Sequence, residues 1–316
     1  MWRATWRAHV EIARPDYWFK NVFVIPGIVI ALGTVTGVDF GNLAIRILVG
    51  LVATCVVASS NYTLNEVLDA PSDLHHPVKR NRAVPSGRLR PAAAYVQWLL
   101  LFVAGIGLAL SISIPFALSL LALWIMGIVY NVPPVRAKDQ PYVDVLSEAI
   151  NNPLRMLAGW FIVNPSGVVP GSLLLSYWMV GAYFMALKRW AELRHFRDRA
   201  QAVGYRKSFA YYTEERLLVS VTFYGSAAML FLGAFIMRYR IELILAFPLV
   251  ALVMAVYLSL AFKQDSAAQA PEKLFREGAL MTAVIACTVV ITILLFVDVP
   301  VLFKIFGPTA PTQSAR

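Results

Sequence analysis

Apolar residues gather along the chain in nine stretches, roughly 22–38, 42–64, 92–112, 115–131, 147–165, 171–190, 217–237, 241–262 and 279–303. A helix needs about 20 predominantly apolar residues to cross the hydrocarbon core. The pattern therefore predicts an all-α, polytopic membrane protein with nine transmembrane helices. Polar residues or prolines soften the boundaries around Pro115 and Asn151. No linker divides the chain, so residues 1–316 read as a single domain. Residues 1–20 are basic and aromatic without an uninterrupted apolar core. They do not read as a cleavable signal peptide; an interfacial helix leading into the first span is predicted.

Composition agrees with a lipid solvent. Hydrophobic residues make up 59% of the chain and charged residues 15%, yet the net charge is +10. Most of the 28 lysines and arginines fall at the N-terminus and in alternate joints, such as Lys79–Arg90, Arg136–Lys138 and Lys188–Arg216. The opposite joints hold little more than Arg238 and Arg240. By the positive-inside rule the N-terminus and the long basic joints are cytoplasmic and the C-terminus is outside. The bases lie between apolar stretches, with no tail or stripe suited to nucleic acid. Cys55 and Cys287 sit within apolar runs and form no metal-ligand spacing.

Acidic residues recur where the second stretch ends. Asn65, Asp69 and Asp73 follow at intervals of four, with Glu66 beside them, so on a continuing helix they form one polar stripe. Pro71 is expected to end the helix and leave Asp73 on the first loop turn. A single Asp here would read as a solvated helix end. Several carboxylates at one membrane mouth are costly unless they serve something, and Mg2+ relieves their repulsion while sharing oxygens with substrate phosphates. The loop that follows carries Lys79, Arg80, Arg82, Ser86, Gly87 and Arg88, a composition suited to phosphate. His75 and His76 are read as structural.

A second acidic pair, Asp144 and Glu148, opens the fifth stretch after Tyr130, Arg136 and Lys138. Two such pairs on one side of the membrane could hold metal and diphosphate between them, with Lys138 and Arg136 neutralising the remaining phosphate oxygens. Arg155, a few residues inside the span, needs a counter-charge or a polar cavity. Snorkelling to the interface is its plainer explanation, but the nearby acids favour a site role. Lys188, Arg189 and Glu192 close the sixth stretch and could line the mouth of the site.

Nine spans with two such motifs resemble the UbiA superfamily of intramembrane prenyltransferases. Asn65-Glu66-x-x-Asp69-x-x-x-Asp73 is similar to its first motif, with Glu66 where an Asp is usual, and Asp144-x-x-x-Glu148 is similar to its second. Several segments look more like the decaprenyl-phosphate phosphoribosyltransferase branch: Arg14-Pro15-x-Tyr17-Trp18-x-Lys20-Asn21, His76-Pro77-x-Lys79-Arg80-x-Arg82, Tyr130 with Lys138, Leu154-Arg155 to Gly159, and Lys188-Arg189-x-x-Glu192. The resemblance runs from about residue 11 to 216, beyond which only hydropathy matches.

That resemblance implies a UbiA-like helical bundle and transfer of a phosphoribosyl group from phosphoribosyl pyrophosphate to a polyprenyl phosphate, with diphosphate leaving. It implies Mg2+ held among Asn65, Glu66, Asp69, Asp73, Asp144 and Glu148. It further implies phosphate or substrate contacts from Lys20, Lys79, Arg80, Arg82, Tyr130, Lys138, Arg155, Lys188 and Arg189. One alternative is a prenyltransferase joining an isoprenyl diphosphate to an aromatic or other small acceptor, which would use the same metal motifs. A transporter would instead show charges near mid-bilayer and inverted repeats, whereas these acids sit at helix ends.

Overall fold

In a computed structural model of the chain, residues 2–74, 79–196, 198–263, 266–269 and 271–307 are described, and every regular element among them is helical. His75 and His76 lie outside the described residues. The chain forms two compact units, Met1–Val169 with Val203–Tyr212, and Pro170–Ala202 with Thr213–Arg316.

The first unit begins with α1 (Trp2–Ala13), followed by a 3-10 stretch (Pro15–Val24) and α2 (Ile25–Leu32). Then come α3 (Phe40–Asp73), α4 (Pro91–Leu110), α5 (Ile114–Asn131), α6 (Val143–Ala149) and α7 (Asn151–Val163). Their core contains Ile28, Ala53, Val57, Phe116, Leu120, Leu123, Ala158 and Ile162. α2 and α7 meet backbone to backbone. A side chain at Gly27 would strike the Met156 carbonyl, and one at Gly159 would strike the Val24 carbonyl. Small residues permit this approach where lipid offers no hydrophobic drive for helix association.

The second unit contains α8 (Gly171–His195), α10 (Glu214–Tyr239), α11 (Phe247–Ala261), α12 (Gly278–Phe296) and α13 (Pro300–Phe306), while α9 (Arg199–Tyr205) leads back to the first. α8 is tied to α10 by the Ser176 hydroxyl, which donates to the Ala228 carbonyl at 3.0 Å, and to α11 by Tyr183, which donates to Met254 at 2.9 Å.

Among the described residues six helical segments are long and apolar enough to cross a membrane: 40–73, 91–110, 114–131, 214–239, 241–261 and 278–296. The other three expected spans take different forms. The stretch 22–38 is divided between the 3-10 segment and the eight-residue α2. The stretch 147–165 is broken between α6 and α7. Pro153 explains that break, because it lacks the N–H that would bond the Ala149 carbonyl and its ring crowds that carbonyl. α8 has 25 residues, but serines, aromatics and a charged end dilute its hydropathy.

α3 sets the position of the acidic residues. Asp39 caps its start, accepting from the Gly41 and Asn42 N–H groups. Its 34 residues, at about 1.5 Å each, make a rod about 50 Å long, against a hydrocarbon core of about 30 Å. With the apolar part in lipid, the end bearing Asn65, Asp69 and Asp73 projects beyond it. Pro71 does not end the helix, as the sequence pattern leads one to expect, but lies within its last turn. It leaves only the Val67 carbonyl without its helical partner, a loss confined to the last two turns of the helix. Asp73 thus stays in register with Asp69.

Candidate active site at the end of α3

Around Asp69, residues from α3, from the end of α5 and from the turn after α5 meet. One Asp69 carboxylate oxygen lies 2.5 Å from the Lys138 Nζ and 3.1 Å from an Arg136 guanidinium nitrogen. The other accepts from the Asn65 amide at 3.2 Å. The Asn131 Oδ1 accepts from both Asn65, at 2.6 Å, and Lys138, at 3.0 Å, while its own amide donates to the Gly127 carbonyl. Lys138 is buried, and burial holds its pKa below the ordinary lysine range against the pull of Asp69. The turn presenting these bases is strained, with Arg136 at φ 31° and Tyr142 at φ 64°, a region costly for residues with a Cβ.

Asp73 is buried and accepts from Arg82 at 2.7 Å. Lys79 belongs to the same group; burial holds its pKa down, opposed by the charges of Asp73 and Asp69. Arg80 is exposed. The loop bearing these bases is anchored from beneath. Ala83, Val84 and Leu89 pack with Ala8 and Ile12 of α1, and Arg88 makes a two-pronged ion pair with Glu11 at 2.6 and 2.7 Å.

Glu66, one helical step from the acidic stripe, does not point with it. It is buried and accepts the Val84 N–H at 3.1 Å. Asp144 is fully buried, accepting from the Tyr212 hydroxyl at 2.6 Å and the Ser208 hydroxyl at 3.2 Å, with an Arg206 nitrogen at 3.6 Å. Glu148 accepts from the Tyr130 hydroxyl at 3.2 Å.

Arg155 is buried and donates to the Asn21 side chain at 2.9 Å and to the Asn151 carbonyl at 3.2 Å. Lys20 places its ammonium over the Tyr17 ring. Lys188 and Arg189 belong to the second unit, where buried Arg189 pairs with Glu192 at 3.1 Å and Lys188 approaches the same carboxylate at 4.0 Å.

The structure thus brings together Asn65, Asp69, Asp73, Lys79, Arg82 and Lys138. Asn131, Ser208 and Tyr212 were missed from sequence. An Asn or Tyr on an apolar helix or in a loop carries no signal until its partner is known. Among the described residues no three acidic, His or Cys side chains converge closely enough to hold a metal ion by themselves. Mg2+ is commonly bound by one or two carboxylates, completed by waters and substrate phosphates. The all-oxygen donors at Asp69, Asp73 and Asn65 fit that mode, with bases beside them for the phosphates.

Comparison with known proteins bears on this arrangement. The UbiA prenyltransferase family matches residues 22–285. A decaprenyl-phosphate phosphoribosyltransferase of Mycolicibacterium smegmatis is 28% identical over 230 residues, covering 71% of this chain and 68% of that protein. Its counterpart in Mycobacterium tuberculosis is 29% identical over 71% of this chain and 72% of its own. In three dimensions the chain is similar to a UbiA homolog from Archaeoglobus fulgidus bound to DMAPP and Mg2+. That likeness has a TM-score of 0.68 at 19% identity, covering 90% of this chain and 99% of the other, and it shows the fold.

Proposed function

Because the chain belongs to the UbiA prenyltransferase family and is a membrane transferase, we propose that it moves a phosphoribosyl group from phosphoribosyl pyrophosphate to a polyprenyl phosphate. The observation that carries this reading is the pairing of the two α3 aspartates with bases from neighbouring loops, Asp69 with Lys138 and Asp73 with Arg82. Together with Lys79 they make an anion-binding group beside oxygen ligands, as release of a diphosphate requires. The similarity to two phosphoribosyltransferases supports the donor. The concentration of bases in alternate joints supports a cytoplasmic site in the inner membrane.

In this reading the bond from the ribose anomeric carbon to the diphosphate oxygen breaks, and a bond to an oxygen of the polyprenyl phosphate forms. Lys79, Arg82 and Lys138 grip the phosphates, and Arg136 joins them from the turn after α5. Mg2+, held by Asp69 and Asp73 with Asn65, would neutralise charge developing on the leaving diphosphate. The acceptor is already an anion, so no strong general base is needed. Arg155, which donates to Asn21, would orient a phosphate from the α7 side. Glu66 holds the backbone of the basic loop.

A second reading is prenyl transfer from an isoprenyl diphosphate to a small acceptor, favoured by the ligand of the similar A. fulgidus protein, DMAPP. Purified protein in lipid nanodiscs separates the two. Labelled phosphoribosyl pyrophosphate with polyprenyl phosphate and Mg2+ should yield a lipid-linked product. Product only from isoprenyl diphosphate with an aromatic acceptor would establish the second reading instead.

A further inference from the structure

Apart from Arg155 on α7, the bases assigned so far come from the loops after α3 and α5. A third segment, 203–212, supplies one more. Phe209 and Tyr212 are fully buried there, so the segment is seated rather than loosely draped. It touches both basic loops. The Lys79 ammonium stands 5.3 Å from the Tyr205 ring centre, Lys207 pairs with Asp139 at 3.4 Å, and Arg206 lies 3.5 Å from the Lys138 carbonyl oxygen. Arg206 also adds to the positive field at Lys79.

Asp144 holds this segment down. It accepts from the Tyr212 and Ser208 hydroxyls, at 2.6 and 3.2 Å, and forms an ion pair with Arg206 at 3.6 Å. The latched segment thereby holds the guanidinium against the Lys138 backbone, close enough for its charge to act on Lys79. One more positive charge acting on Lys79 strengthens the attraction of this place for an anion. A planar guanidinium suits two phosphate oxygens at once.

We infer that Arg206 is a further diphosphate-binding residue, delivered to the site by the segment that Tyr212 and Ser208 latch onto Asp144. The inference rests on the diphosphate reading of the site and adds a ligand from a third loop.

Isothermal titration of the full chain in nanodiscs with inorganic pyrophosphate and Mg2+ tests it. Arg206→Ala should weaken pyrophosphate binding by about tenfold or more, the loss expected for a charge-assisted contact. Exposed Arg199→Ala, which removes the same formal charge, should stay within about twofold of the unaltered protein. Unchanged binding in Arg206→Ala would overturn the inference, as would an equal loss in Arg199→Ala. If Arg206→Ala fails to fold, Arg206→Lys carries the test. It keeps the charge but not the fork, and unweakened binding in that variant overturns the inference equally. Failure of the unaltered protein to bind pyrophosphate would remove the diphosphate reading itself.

Discussion

The Lys138 ammonium nitrogen lies 2.5 Å from an Asp69 carboxylate oxygen, and both residues touch an Asn65–Asn131 amide pair that joins α3 to α5. In the proposed reaction the bases that neutralise these acids are also the groups that grip a phosphate.

Asp69→Asn should lower Mg2+-dependent transfer by about a hundredfold or more, the scale of losing one group that stabilises charge at the reacting centre. Lys138→Met should cause a comparable loss. Since the two residues touch, the double variant should lose less than the product of the single losses. Initial rates with saturating Mg2+ provide the measurement, and full activity in Asp69→Asn would sink the proposed role.

Glu66 separates a strut from a metal ligand. Because it accepts a backbone N–H from within the basic loop, Glu66→Gln should retain both melting temperature and most activity. Glu66→Ala leaves the Val84 N–H buried and unpaired, at a cost of about 1–3 kcal/mol, and should lower the melting temperature. A collapse of Mg2+ binding in Glu66→Gln would instead make it a ligand.

Tyr212 accepts the Tyr142 N–H at 2.5 Å and donates to Asp144 at 2.6 Å. Tyr212→Phe removes both contacts from a buried site, again costing about 1–3 kcal/mol. Hydrogen exchange followed by mass spectrometry should show faster exchange over 203–212 and 140–146. Unaltered exchange there would mean that the hydroxyl does not hold the segment.

Burial holds the Lys79 pKa below the ordinary lysine range. A lysine lowered in the folded state carries its burial cost fully at pH below its folded pKa and is relieved of it as pH rises through that value. Its grip on phosphate goes the other way, being lost as the ammonium deprotonates. Pyrophosphate affinity should therefore weaken on the alkaline side before free lysine would titrate. Lys138, also lowered by burial, contributes to the same limb, so Lys79→Arg should move part of it to higher pH, and a limb shifted by Lys138→Arg but not by Lys79→Arg would exclude Lys79 from the binding group.

How much of this was legible beforehand follows from the range of each interaction. The spacing of Asn65, Asp69 and Asp73 is a property of one helix, so the stripe could be read from the chain and is present. The apolar pattern likewise marked helices wherever a run was long and unbroken. It failed where local backbone chemistry intervened, as at Pro153, and where a helix tolerated what usually ends it, as at Pro71.

By itself the amino-acid order determined the helical class, the membrane solvent and the acidic and basic motifs, because periodicity and composition act over a few turns. Tertiary structure alone decided which base meets which acid: Lys138 with Asp69, Arg82 with Asp73, and the two hydroxyls of 203–212 on Asp144. It also turned Glu66 toward Val84, away from the stripe. Such contacts join residues up to 69 positions apart, and a Coulomb or hydrogen-bond partner at that separation is selected by packing, which leaves no period in the chain.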